Sequence, residues 1–341
     1  MDTRYALAAV LALSLSGAAT TAAAAPSTAG GPGWDAREPQ QSERFSKTVA
    51  LGASGTVLLS NVTGDVVVTG GSGDQVVIDA VKRGRSADDL KAVDIEVMAK
   101  DGRVEIVTRY PRNQEHRWGN SAEVDYTLTV PRRALVRVKT VSGDVQVSTV
   151  DGELRAESVS GNVRVTDAKN LEGAVTVSGD VFVKAAGSTG GVTVSSVSGN
   201  VVIAGLKATS VTGSSVSGDI TLGDILSDRV AFKSISGNID FAGLLAKAGR
   251  YALKSHSGDI VVKISANVGF ELNASSFSGD IRSDLPLTLQ FGGPGEGGRR
   301  GRSQEIRGTF GDGAAILELN SFSGDIRIVS AGGAKPATGK K

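Results

Sequence analysis

A four-residue signature, Ser/Thr-Gly-Asp/Asn-Val/Ile, recurs ten times along this 341-residue chain. Its glycines stand at positions 64, 143, 161, 179, 199, 218, 237, 258, 279 and 324. Between Gly143 and Gly279 the intervals are 18, 18, 20, 19, 19, 21 and 21 residues. Self-similarity at a nearly constant interval is the mark of a repeat architecture, in which one supersecondary unit stacks on the next. Few other sequence features narrow the choice of fold as much.

Each unit has internal structure. Ahead of the glycine stands a small-x-small triplet, as in Thr140-Val141-Ser142, Ser158-Val159-Ser160, Ser234-Ile235-Ser236 and Ser276-Phe277-Ser278. After the signature, apolar and polar residues alternate, as in Val145-Gln146-Val147, Val163-Arg164-Val165 and Ile326-Arg327-Ile328. Alternation with β-branched side chains is the pattern of a half-buried strand. Each unit therefore supplies two short strands meeting at Ser-Gly-Asp/Asn. A Gly-Asp or Gly-Asn pair also suits a hairpin, so an antiparallel β-meander or sandwich is the alternative. A parallel β-solenoid of stacked 18–21-residue coils is favoured, because every column position repeats in type. Stacking the coils in chain order puts Val141, Val159, Val177, Val197, Val216, Ile235, His256, Phe277 and Phe322 into one inward ladder, with the serines outside.

The third signature position alternates Asp and Asn from residue 144 to 259. Carboxylates stacked ~4.8 Å apart repel by about 0.9 kcal/mol in water, and interleaved Asn relieves this while keeping a turn-forming side chain. A doubled repeat with two units per coil accounts for the alternation equally well.

The flanks are less regular. Residues 1–24 read as a signal peptide, with Arg4, an apolar run from Tyr5 to Leu15 and the small-x-small site Ala22-Ala23-Ala24, rather than an uncleaved anchor helix. Residues 25–44 read as a flexible linker and 331–341 as a disordered tail. The β-repeat domain is expected over 45–330. Its 45–140 portion is irregular, capping the solenoid or forming its first coils, and 141–330 is regular. Within 45–140, Ser86 reads as the N-cap of a short helix, and strands follow near 93–99, 103–109 and 122–130 with a turn at Asp101-Gly102. A loop insertion at 284–315 interrupts the last interval, centred on a Gly/Arg-rich stretch expected to be mobile.

Composition excludes several chemistries. With no cysteine there is no disulfide scaffold, thiolate metal site, lipid-anchored cysteine or cysteine nucleophile. A net charge of +1 gives no footprint for nucleic acid. No transmembrane run is expected. Of the two histidines, His256 falls in the apolar column and His116 in a polar loop, without metal-ligand spacing. No Gly-x-Ser-x-Gly elbow is present. Gly293-Pro-Gly295-Glu-Gly-Gly298 matches a dinucleotide fingerprint in letters only, far from a βαβ pattern, and Arg299, Arg300 and Arg302 after it read as a solvated loop. The Asp column raises a calcium-bound β-roll, but turn chemistry explains those carboxylates without metal. Both tryptophans lie outside the repeats, so the aromatic platforms of a polysaccharide-cleaving solenoid are missing. The expectation is no catalytic residues, no metal, no cofactor and no enzyme.

The run LLSNVTGDVVVTG (58–70), the block YTLTVPRRALVRVKTVSGDVQV (126–147) and the successive VSGD/VSGN units resemble the bacterial putative-adhesin family of unknown function with β-strand repeats. The resemblance covers about 45–330. It implies a β-helical repeat on an envelope or secreted protein and carries over no catalytic residues. The expected function is therefore an exported, non-enzymatic β-repeat protein acting by surface interaction or scaffolding, in the periplasm, at the cell surface or secreted. Its partner would be an envelope or surface component, protein or polysaccharide. A polysaccharide-binding or polysaccharide-active solenoid is the alternative.

Overall fold

The structure, a computed structural model, describes residues 41–110, 122–264, 268–289 and 304–331. The irregular N-terminal portion holds β1 (Gln41–Ala50), β2 (Thr56–Ser60), β3 (Val66–Gly71), β4 (Gln75–Gly84), α1 (Ala87–Ala92), β5 (Asp94–Lys100), β6 (Arg103–Arg109) and β7 (Glu123–Pro131). Two strands per coil follow: β8 (Leu135–Ser142) with β9 (Val145–Ser148), β10 (Glu153–Ser160) with β11 (Val163–Thr166), and β12 (Asn170–Val175) with β13 (Val181–Gly187). The series continues with β14 (Gly191–Ser195) and β15 (Val201–Lys207), β16 (Ser210–Ser217) and β17 (Ile220–Leu226), β18 (Arg229–Ser236) and β19 (Ile239–Gly243), and β20 (Arg250–Ser257) and β21 (Ile260–Ile264). The C-terminal part comprises β22 (Phe270–Ser276), β23 (Ile281–Ser283), β24 (Thr288–Leu289), β25 (Gln304–Phe310), β26 (Ala315–Ser323) and β27 (Ile326–Ser330).

Coil-to-coil pairing in the regular part is parallel and in register, as in Val163↔Val145 and Val163↔Val181. A β-solenoid with one signature per coil is thus the architecture, and the meander and the doubled repeat are both set aside. The first strand of each coil joins a 14-stranded sheet and the second a 13-stranded sheet. Alternation does the sorting: Val136 and Val138 of β8 are buried, while Arg137 and Lys139 face outward. The inward side chains of both sheets meet in one core, where Phe241 of one sheet packs edge-to-face on Tyr251 of the other at 5.6 Å. Each fully buried Val, Leu or Ile contributes about 1.5–3 kcal/mol through loss of apolar surface to water.

Both ends depart from chain order. At the N-terminal end, β2–β3 stack on β8–β9, and β6 and β7 stack beyond them. Antiparallel pairing of β1 with β4, of β4 with β7 and of β5 with β6 closes that end. Helix α1 has the expected Ser86 cap, with a reciprocal capping box to Asp89. At the C-terminal end the last coil in sequence, β26–β27, lies between β20–β21 and β22–β23. Stacking in chain order is therefore corrected: Phe322, not Phe277, follows His256. The 284–315 segment is not simply an insertion loop. It contains β24 and β25, and β25 runs antiparallel to β22 and covers the outermost coil. Strand β1 begins at Gln41, inside the expected 25–44 linker, because residues 41–50 pair with β4 throughout. The expected signal peptide, His116, the 293–302 stretch and the 332–341 tail lie outside the described residues.

Candidate functional site: an outer apolar row

The Ser-Gly-Asp/Asn edge is built from three columns. The first is hydroxylated and inward. Thr140, Ser158, Thr176, Ser196, Ser215, Ser234, Ser255, Ser276 and Ser321 are buried. Most donate to the carbonyl of the signature glycine on the neighbouring coil: Ser158 Oγ to Gly143 O (3.1 Å), Thr176 Oγ1 to Gly161 O (2.8 Å) and Ser196 Oγ to Gly179 O (2.8 Å). Burying a hydroxyl is tolerable only with such a partner. Thr140 and Ser234 lack one. For Thr140 the corresponding carbonyl, Gly64 O, already accepts from Asn61 Nδ2 at 3.0 Å.

The second column is the ladder expected inside, and the structure reverses it. In spatial order it runs Val62, Val141, Val159, Val177, Val197, Val216, Ile235, His256, Phe322, Phe277, and it faces solvent. From Val141 onward its apolar members are 42–53% exposed. Parity explains the reversal. Val136 and Val138 point inward, so Thr140 must as well, and Val141 points out. The signal was present in the sequence, in the phase of the strand leading into the triplet. Three rings end the row. His256 stacks on Phe322 at 4.9 Å and Phe322 on Phe277 at 4.8 Å, with planes 13° and 6° apart. His256 is thus an exposed stacking residue, not an inward filler. Rings stacked this way shield their faces with one another.

The third column carries the signature Asp and Asn. Each side-chain Oδ1 accepts from the next backbone N–H along the stack: Asp65 from Asp144 (2.8 Å), Asp144 from Asn162 (2.7 Å), Asn162 from Asp180 (2.9 Å) and Asp180 from Asn200 (2.7 Å). Asn162 also donates Nδ2 to both carboxylate oxygens of Asp144 at 3.2 Å. The alternation therefore places a donor between carboxylates. It lapses at both ends, and arginines stand there: at Asp325 beside Asp280, Arg327 lies 3.3 Å from Asp325 and Arg282 2.8 Å from Asp280, and where Asp125, Asp65 and Asp144 adjoin, Arg83 pairs with Asp125. The Asp280 backbone N–H first, then Arg327, holds the Asp325 carboxyl below its ordinary pKa. Among the described residues, no group of three or more His, Cys, Asp or Glu side chains is placed to hold a metal ion.

Beside the row, the outer face of the 14-stranded sheet carries an ion-pair lattice toward its N-terminal end. Arg137 reaches Glu153 (3.0 Å) and Glu172 (3.3 Å), Arg155 pairs with Glu157 and Glu172, and Lys139 lies 3.0 Å from Glu157. A shallow concavity of about 470 Å³ next to it has Leu58 between Glu105 and Arg137. Its cations are already matched by carboxylates, which makes this a surface lattice of modest energetic weight. Buried polar groups cluster under β7, where Thr108 Oγ1 meets Asn61 Oδ1 (2.9 Å) and the Tyr126 hydroxyl (2.7 Å). Burial pushes the Tyr126 hydroxyl pKa up to about 12, so it remains a neutral donor.

A likeness to known proteins can be set beside this geometry. Residues 187–288 match the Toastrack DUF4097 family model. No curated protein sequence matches the chain. Among solved structures, a putative adhesin from Bacteroides fragilis is 14% identical, with 84% of this chain and 97% of that one covered and a TM-score of 0.44. A putative adhesin from Parabacteroides distasonis is 12% identical over 84% and 97%, with a TM-score of 0.40. A structure from the same species described as a putative lipid binding protein is 9% identical over 84% and 96%, with a TM-score of 0.36. Residues 187–288, which span β14 to β23 and half of the outer row, are accordingly a Toastrack DUF4097 domain, a domain of unknown function.

Proposed function

We propose that this chain is an exported, non-enzymatic binding protein that works in the envelope or outside the cell. Its outer apolar row would serve as the contact surface for an envelope or surface component. One observation carries the reading: the coils direct hydroxyls inward and a line of Val, Ile and Phe, broken only by the stacked ring of His256, outward. Folding alone favours the opposite, because an exposed apolar line gives up the transfer energy its burial would supply. Contiguous exposed apolar surface is what an interaction site requires. The small-residue site at Ala22-Ala23-Ala24 supports export.

The test compares wild-type protein with Ile235→Asp, an exposed change in mid-row, for binding to isolated envelope fractions and to a glycan array. Binding that the variant loses supports the reading. Equal binding by both would overturn the row as the contact surface. Hydrolysis of an envelope polysaccharide, lost on replacing an acidic residue, would overturn the non-enzymatic reading in favour of the polysaccharide-active alternative. Mass spectrometry of secreted protein beginning at Ala25 tests export.

A further inference from the structure

We infer that the occupant of the outer row is a second copy of this chain, lying alongside with the two solenoid axes parallel and related by a twofold axis along them. The inference rests on the row being a contact surface, as proposed above, and names what it contacts.

Three observations point to a like partner. The first is spacing. One side chain per coil at the ~4.8 Å interstrand repeat makes a row about 43 Å long. A partner with a different repeat falls out of step along that length. A second copy has the same repeat by construction, so its side chains stay level with these ones throughout, each meeting its own equivalent, as stacked ladders keep step in dry sheet-to-sheet interfaces. The second observation is charge. On the strand side of the row, two residues earlier on the same outer face, the charged residues are Lys139, Lys233 and Lys254 and one acid, Glu157; on the turn side of those coils stand Asp144, Asn238, Asp259 and the neutral Asn162. A twofold axis parallel to the stack brings each flank against the opposite flank of the same coil, so that Lys254 of one copy meets Asp259 of the other. A twofold axis across the stack would set turn side against turn side, with Asp144 facing Asp325 and Asp65 facing Asp280. Among the described residues neither Lys233 nor Lys254 has an acidic partner of its own within ion-pair distance. The third is size. A stable interface buries about 800 Å² per partner, which a 43 Å row reaches with a strip about 19 Å wide. That is the span of three alternate outward positions and the turn, each about 6.8 Å from the next.

Sedimentation equilibrium of the mature protein tests this directly, with two variants and a cross-link. The expected result is a dimer, weakened about 100-fold by Ile235→Asp and about ten-fold by Lys254→Glu, with unchanged circular dichroism and melting temperature. The chain has no cysteine, so Val141→Cys reads the axis direction. Parallel copies place the two introduced thiols together, and mild oxidation gives a covalent dimer. In the antiparallel arrangement Val141 faces the Phe322 end, and only a mixture of Val141→Cys with Phe322→Cys cross-links. A monomer up to about 100 μM, a dimer indifferent to Ile235→Asp, or cross-linking in the mixed pair alone overturns the inference. A monomer whose envelope binding is still lost in Ile235→Asp refutes the second copy and leaves the proposed function standing. If Ile235→Asp changes neither association nor binding, both fall.

Discussion

The two edges of this solenoid solve the same problem, turning the chain from one sheet to the other, under different constraints. At the signature edge the backbone of each coil lies against the backbone of the next. Gly161 has φ +149°, and a Cβ there would run into the carbonyl of Gly143; Gly179 stands in the same relation to Gly161, and so on along the stack. Toward the opposite edge, four residues on from the start of each second strand, the chain again takes a left-handed residue in successive coils: Thr149 and Asp167 just past β9 and β11, and Ala185, Gly205 and Asp224 within β13, β15 and β17. There is room at this edge. A Cβ on Gly205 would meet its nearest neighbours at 3.7 Å, an ordinary contact. Left-handed backbone costs an L-residue only about 1–2 kcal/mol, so Thr, Asp and Ala are accepted. Turn conformation alone does not enforce a repeat in the sequence; backbone-to-backbone approach does.

The sharpest way to break this contrast is a pair of matched substitutions. Gly161→Ala should lose more than about 3 kcal/mol in denaturant unfolding, while Gly205→Ala should lose about 1 kcal/mol. Equal losses would mean that dihedral strain, not contact, sets the glycine requirement. Next comes the charge order of the signature edge. Asn162→Asp joins Asp180 to the Asp125, Asp65 and Asp144 run, making five carboxylates in a row, and removes the Nδ2 donor to Asp144. A loss of about 1–2 kcal/mol at low salt is expected, shrinking in ~1 M salt; insensitivity to salt would refute the electrostatic account of the alternation.

The inward hydroxyls give a smaller effect. Ser196→Ala removes a bond to Gly179 O and should cost about 1 kcal/mol, whereas Ser234→Ala, whose hydroxyl is unpartnered, should be neutral or slightly stabilising. Smallest is the acid response. The Asp325 carboxyl titrates lower folded than unfolded, so its stabilisation is present above the ordinary aspartate pKa and is lost as pH falls through the folded value. Asp325→Asn keeps the oxygen that accepts from Asp280 and removes this titration. Its melting temperature should therefore fall less than wild type between about pH 5 and pH 2, measured by calorimetry; an identical slope would remove Asp325 from the acid response.

Much of the fold is legible in the chain because glycine, hydroxyl and Asp/Asn each repeat for a local reason. Gly143 through Gly279 mark the coils, Val145 and Val147 the strand phase, and Ser86 the helix cap. The orientation of the row was the larger error. Val141 and Phe277 look like core by residue type, and only the phase carried from Val136 and Val138 puts them outside. The opposite edge was missed because Thr149, Ala185 and Gly205 share a conformation rather than a residue type.

The sequence by itself determined that the chain coils, how long each coil is and where it turns. These depend on contacts that every repeat makes identically with its neighbour. Tertiary structure alone decided that β26–β27 lies inside β22–β23, since both coils carry the same signature and either would stack on β20–β21. It also decided which small-x-small residue faces water. Most of the buried hydroxyls donate a hydrogen bond to a glycine carbonyl on the adjacent coil, and that carbonyl lies 15 to 17 residues away along the chain for Ser158, Thr176 and Ser196.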